Sequence, residues 1–137
     1  MSPPFRITRA SLHAMQAHAR REGGLECCGL LAGRGGVITT VFPAKNALAS
    51  ATAYEIAPKE LFELFQRMRR LGLEHLGIYH SHPAGDNAPS SRDIERAYYP
   101  DAAYVILSPL PGAAKPVRAF SMWEERVEEL AIEAVQD

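Results

Sequence analysis

The 137-residue sequence contains no apolar run close to the ~20 residues that a membrane-spanning helix needs. It also has no excess of either charge. Lys and Arg number 15 against 16 Asp and Glu, a formal net charge of −1. Without a basic stripe or cluster, neither a nucleic-acid partner nor a membrane surface is expected. Cysteine is scarce. The two present, Cys27 and Cys28, are adjacent and cannot staple distant parts of the chain, which points to a reducing, cytoplasmic setting. The opening residues MSPPFRITRA lack the apolar core of a secretion signal, so export is not expected. There is no internal repeat, no low-complexity tract and no Pro/Gly-rich linker. At ~150 residues per domain, residues 1–137 read as a single domain. What the sequence does have is histidine: five in all, two of them spaced i, i+2 at His80 and His82.

Strand and helix patterns alternate along the chain. Phe5–Thr8 reads as a short strand. Thr8 or Ser11 can cap a helix to about Glu22, with Leu12, Met15 and Ala19 on one face. Glu26–Ala32 (ECCGLLA) and the β-branched Val37–Phe42 flank Gly33-Arg34-Gly35-Gly36, which suits a hairpin turn. Ala53–Ile56 is expected to be a further strand. Pro58–Leu71 is the clearest helix. Proline sits in its first turn, Gly72 follows its end, and Leu61, Leu64, Phe65, Met68 and Leu71 form an apolar stripe. His75–His80 reads as a strand, 81–89 as a loop, and Ser90 or Ser91 begins a short helix to about Tyr99. Ala103–Leu107 and Val117–Trp123 are strands. The tail from Glu124 to Val135 fits a helix through Val127, Leu130, Ala131 and Ala134. It fits a strand through Leu130, Ile132 and Ala134. The alternation implies an α/β layered domain, and the hairpin makes its sheet mixed.

The chemistry is concentrated in His80-Ser81-His82-Pro83 and Ser90-Ser91-Arg92-Asp93. At a strand end, residues i and i+2 point to one side, so His80 and His82 can present two imidazoles to one point. Asp93, in the first turn of the next helix, can fold back as a third ligand. Two histidines and a carboxylate suit a divalent ion such as zinc and leave a position open for water, which marks a catalytic site. Bound zinc lowers the pKa of its water from ~15.7 towards ~7. A hydrolase then needs a carboxylate to move the water proton and a donor for the oxyanion. Glu26, abutting the apolar ECCGLLA run, is the candidate for the first role and Ser90 for the second. Each piece has a plainer reading. His-x-His alone is weak evidence for a metal, Ser90-x-x-Asp93 is also a helix capping pattern, and Glu26 alone could be a surface charge.

Taken together, Glu26, His80-Ser-His82-Pro, seven intervening residues and Ser90-x-x-Asp93 resemble the JAMM motif of the Mov34/MPN/PAD-1 metalloproteases. Glu-x-Cys-Gly-Leu-Leu-x-Gly at Glu26–Gly33 and Gly-x-Tyr-His-Ser-His-Pro at Gly77–Pro83 extend the likeness, which runs from Phe5 to about Trp123. The resemblance implies an MPN fold, a three-layer mixed sheet flanked by helices as in cytidine deaminases, with at least part of the tail as strand. It implies Zn2+ held by His80, His82 and Asp93, Glu26 acting on the water, and Ser90 stabilising the tetrahedral intermediate. It also implies cleavage after the C-terminal Gly-Gly of a ubiquitin-like protein. The short form resembles stand-alone prokaryotic members that act on sulfur-carrier proteins, for example releasing cysteine. Its size leaves specificity to the groove or a second subunit, which keeps a homodimer open.

Other readings carry less. The Pro-Cys-x-x-Cys element of zinc deaminases and the His-Glu-x-x-His of helix-borne zinc proteases are both missing. Strand alternation would send one of Cys27 and Cys28 inward and one outward, as packing residues, and Cys27 has no assigned role. His13, His18 and His75 read as surface or packing residues. Two alternative functions remain: a non-catalytic MPN-type scaffold that binds a partner protein, and a general small-peptide hydrolase.

Overall fold

Strand alternation and one long amphipathic helix set up the layers. The structure is a computed structural model and describes residues 2–137. Its elements run β1 (Phe5–Thr8), α1 (Arg9–Glu22), β2 (Cys28–Arg34), β3 (Val37–Ala44), α2 (Pro58–Leu71), β4 (Glu74–Ser81), α3 (Ser91–Glu95), β5 (Ala103–Leu107), β6 (Val117–Trp123), β7 (Arg126–Leu130) and β8 (Ile132–Val135). All the strands join one sheet in the order β7-β6-β5-β4-β2-β3-β1-β8. The sheet is mixed: β4/β5, β1/β3 and β1/β8 are parallel pairs and the rest antiparallel.

Alternating side chains divide the core in two. Cys28, Leu30, Ile78, Tyr104, Ile106 and Phe120 face α2, which buries Leu64 and Met68 against them. Leu31, Tyr79, Val105, Leu107 and Ala119 face α1, which contributes Met15 and Ala19. The result is the expected α/β arrangement of a mixed sheet between helices. Thr8 caps α1, its Oγ1 accepting from the Ser11 N–H at 3.2 Å. Pro58 opens α2, and Gly72 closes it in the left-handed region at φ 69. Arg34 completes that end, donating to the Leu71 and Gly72 carbonyls at 2.7 and 3.2 Å. Leu71 itself is exposed, so the apolar stripe of α2 ends at Met68.

Several expectations are corrected. Residues 53–56 are not a strand, because their backbone partners lie in the loop that carries them. β2 begins at Cys28, which leaves Glu26 just before the strand instead of starting it. The turn of the β2–β3 hairpin narrows to Gly35-Gly36, both at positive φ, with Gly33 and Arg34 in the strand. α3 stops at Glu95, well short of Tyr99, whose N–H donates to the Tyr104 hydroxyl at 2.8 Å. The tail, which the sequence leaves open between helix and strand, is two strands, as the resemblance implies. Both cysteines are buried, because both faces of the sheet are covered: Cys28 lies towards α2 and Cys27 towards α1. Among the described residues, no helix is long and apolar enough to cross a membrane.

Candidate metal centre

The site forms where β4 ends. His80 is register partner to Cys28 on one side and Ile106 on the other, in the middle of the sheet. Strand geometry then turns His82 to the same side as His80. The His82 N–H donates to the Leu107 carbonyl at 2.9 Å, which extends the β4/β5 ladder one residue past the assigned strand. His80 Nε2 lies 3.2 Å from Asp93 Oδ1, and His82 Nε2 lies 3.1 Å from Asp93 Oδ2. The two Nε2 atoms are 3.2 Å apart. Three potential ligand atoms thus converge on one point, as the spacing predicts, and all lie within 4.8 Å of one another. Tyr54 stacks on His80, with ring centroids 4.5 Å apart.

Asp93 caps α3 and faces the two histidines at once. Ser90 Oγ accepts from the Asp93 N–H at 3.1 Å, and Asp93 Oδ2 accepts from the Ser90 N–H at 2.9 Å, a reciprocal cap on α3. The same carboxylate faces both imidazoles. Burial pulls its pKa upward, but hydrogen bonds from His80 and His82 outweigh that and hold it well below the usual carboxylate range. His80 is wholly buried, and that burial pushes its pKa down against the pull of the Asp93 carboxylate, the direction that favours the neutral ring a metal ligand needs. Burial lowers the pKa of His82 too, but the hydrogen bonds its ring donates to the Asp93 carboxylate and the Asp86 carbonyl outweigh that and raise it.

Glu26 is 5% exposed, and among the described residues its Oε1 has no hydrogen-bond partner. An orphaned buried carboxylate oxygen is costly, so it marks a position reserved for something else. Burial raises its pKa to about 7, with nearby Asp93 adding to that and His82 opposing it. The segment around it is tied together by one side chain. Asn46 Nδ2 donates to the carbonyls of Glu26 (3.1 Å), Ser50 (3.3 Å) and Ala53 (2.9 Å). Its Oδ1 accepts from the N–H groups of Leu48 (3.0 Å) and Glu55 (3.2 Å). The Glu26 N–H in turn donates to the Ser50 carbonyl at 2.9 Å.

The five residues singled out from the sequence therefore lie about one end of β4. Ser90 is exposed, and among the described residues its hydroxyl proton has no acceptor. Sequence reasoning missed Ser81, Asn46, Tyr54 and Asn87. Ser81 alternates away from the histidines, and its Oγ accepts from the Cys27 N–H at 2.9 Å. A serine between two histidines is a weak signal, and Asn46, Tyr54 and Asn87 carry none in sequence. Cys27 and Cys28 are buried, and burial pushes their thiols up to about 11 and about 12, away from the reactive thiolate form.

Two neutral-capable imidazoles, one carboxylate and an unpartnered carboxyl beside them are a donor set that a divalent ion fits. An apolar groove of about 280 Å³ runs up to Asp93, lined by Tyr54, Ile56, Leu61, Ile78 and Tyr98, with Arg92 and Arg96 among the polar residues.

The family described as prokaryotic homologs of the JAB domain matches residues 8–123. A CysO-cysteine peptidase of Mycobacterium tuberculosis is 34% identical over 133 residues, 95% of this chain and 91% of that protein. A probable TtuB-protein conjugate cleaving protease of Thermus thermophilus is 40% identical over 119 residues, 86% of this chain and 76% of that one. A desampylase of Haloferax volcanii is 39% identical over 87 residues, 61% of this chain and only 63% of the desampylase. The solution structure of a Desulfitobacterium hafniense protein superposes with a TM-score of 0.84 at 33% identity, covering 96% of this chain and 93% of that one.

Proposed function

The chain belongs to the prokaryotic homologs of the JAB domain, and we propose that it is a zinc-dependent peptidase that cuts after the C-terminal Gly-Gly of a small ubiquitin-like or sulfur-carrier protein. The observation that carries this reading is the three-donor group of His80, His82 and Asp93 beside the buried, unpartnered carboxyl of Glu26. The names of the relatives support the substrate class: one is a peptidase for a CysO-cysteine adduct, another a protease for TtuB-protein conjugates. The groove beside Asp93 suits a thin, extended tail. The released group is an amine, cysteine being the simplest. The two buried, unpaired thiols fit a reducing cytoplasm.

His80 Nε2, His82 Nε2 and an Asp93 carboxylate oxygen would hold the ion. When bound, a divalent ion lowers the pKa of water from ~15.7 towards ~7 and polarises a carbonyl oxygen. Glu26 takes the proton of the attacking water on its carboxylate. It then passes that proton to the departing amine nitrogen as the bond to the glycine carbonyl carbon breaks. A carboxyl raised to about 7 both accepts and returns a proton near neutral pH. The Ser90 hydroxyl donates to the oxygen on which negative charge develops. Tyr54 and the sheet exclude water from the far side of His80.

The test is to incubate the purified chain with a carrier–cysteine adduct, a carrier–protein isopeptide conjugate and short Gly-Gly peptides, with and without a chelator, and to read products by mass spectrometry. Carrier substrates are expected to be cut after Gly-Gly, with activity lost to the chelator and restored by zinc. Equal cleavage of the short peptides would make the chain a general peptide hydrolase. Carrier binding without cleavage by zinc-loaded protein would make it a scaffold.

A further inference from the structure

We propose that Asn87, which lies outside the donor group, is a positioning residue that sets how tightly His82 can hold a metal ion. The inference rests on the metal reading of His80, His82 and Asp93.

His82 Nδ1 lies 2.7 Å from the Asp86 backbone carbonyl oxygen. A carbonyl only accepts, so Nδ1 carries the proton. Nε2 lies 3.1 Å from Asp93 Oδ2, which also only accepts, so in the metal-free chain both ring nitrogens have acceptors. Once the ring gives up one proton, the Asp86 carbonyl keeps the other on Nδ1 and the Nε2 lone pair is free on the side of His80 and Asp93. In the other tautomer an Nε2–H would donate to the Asp93 carboxylate and occupy the direction a metal needs. Where the Asp86 carbonyl sits therefore decides whether His82 is ready as a ligand.

Asp86 does little to fix that carbonyl. Its side chain is 78% exposed and makes only a 3.7 Å ion pair with Arg118. The next residue does the fixing. Asn87 is 6% exposed, and its Nδ2 donates to the Ile106 carbonyl at 3.2 Å and the Lys115 carbonyl at 2.7 Å. Both partners only accept, so the amide nitrogen must face them. Ile106 is the register partner of His80 in the centre of the sheet. One short side chain thus fastens the Asp86–Asn87 peptide to the rigid strand beside one candidate ligand, while the carbonyl of that peptide orients another. Aspartate has the same shape and no N–H to give. Alanine gives neither bond.

The test uses the full chain with zinc alone as the probe. The His82 tautomer is read from ring 15N shifts in metal-free protein at a pH where the ring carries one proton, and the zinc dissociation constant from chelator competition. Wild-type His82 is expected in the Nδ1–H form. Asn87→Ala and Asn87→Asp are expected to mix the tautomers and weaken zinc by the ~10–100-fold typical of lost outer partners. Variants that melt lower but keep the wild-type tautomer and zinc affinity would reduce Asn87 to a structural residue and overturn the proposal. If neither variant folds, the wild-type spectrum still decides, since an Nε2–H tautomer at His82 overturns it directly. Wild-type protein that binds no zinc would overturn the metal reading and this inference with it. Zinc bound equally by wild type and both variants overturns this inference alone.

Discussion

Cys27 and Ser81 are joined twice: the Cys27 N–H donates to Ser81 Oγ at 2.9 Å, and the Ser81 N–H donates to the Cys27 carbonyl at 3.1 Å. Glu26 precedes the first of these residues, and His80 and His82 flank the second. This pair of hydrogen bonds fixes the candidate proton carrier relative to the candidate ligands. Ser81→Ala removes the acceptor and leaves a buried N–H unpaired, at a cost of ~1–3 kcal/mol. Urea unfolding should show that loss. kcat should fall with Glu26 displaced, while zinc affinity stays at the wild-type value.

Glu26→Gln keeps the size of the side chain and removes its proton chemistry. Losing a positioned acid–base group is expected to lower kcat by ~10²–10⁴-fold. Metal analysis should still find one zinc per chain. A variant turning over at the wild-type rate would end the assignment of Glu26.

Asp93→Asn separates the two duties of that residue. The asparagine oxygen can still accept from the Ser90 N–H, so circular dichroism and the melting temperature should change little. The negative charge that both imidazoles face is gone. Zinc affinity should fall by more than the ~10–100-fold seen when only outer partners are lost. Unchanged affinity would leave Asp93 as a cap alone.

His75 should make the fold sensitive to acid. Burial lowers its pKa below the ordinary 6.5, outweighing the bond to the Gly77 carbonyl. Its ring packs edge-on against Phe65 and Tyr99. The unfolded chain then binds the proton more readily than the folded one. The stability contributed is fully present above pH 6.5 and is lost as the pH falls through the lower folded value. Denaturant unfolding of the wild type between about pH 8 and about pH 5 should show this slope. His75→Phe, which keeps an aromatic ring there, should flatten it; an unchanged slope would assign the pH dependence to other groups.

These contrasts also show how much the sequence could reveal. α2 was legible because Pro58 and Gly72 mark its ends and Leu64 and Met68 repeat at helical spacing. The donor group was legible because His-x-His at a strand end and Asp93 in a first helical turn restrict geometry locally. The β6–β7 hairpin was not. Glu124 and Glu125 hold positive φ at 50 and 64 without a glycine or asparagine to announce the turn. Residues 53–56 have the composition of a strand, but the side chain of Asn46 takes two of their backbone groups, and no periodicity encodes that. α3 ends at Glu95 instead of near Tyr99, and the Tyr99 N–H goes to the Tyr104 hydroxyl five residues on, a side-chain contact that no periodicity announces.

The contacts of Asn46 have a consequence for timing. One amide reaches five backbone groups between Glu26 and Glu55, and the span it encloses also carries Tyr54. Loosening any part of that span by more than a fluctuation breaks several of these bonds at once. The segment should therefore open and close as one cooperative unit, with the amide protons of Leu48 and Glu55 exchanging at a common rate. The backbone that carries Glu26 and the ring stacked on His80 would then arrive and depart in the same event, so this side of the centre is either fully assembled or absent.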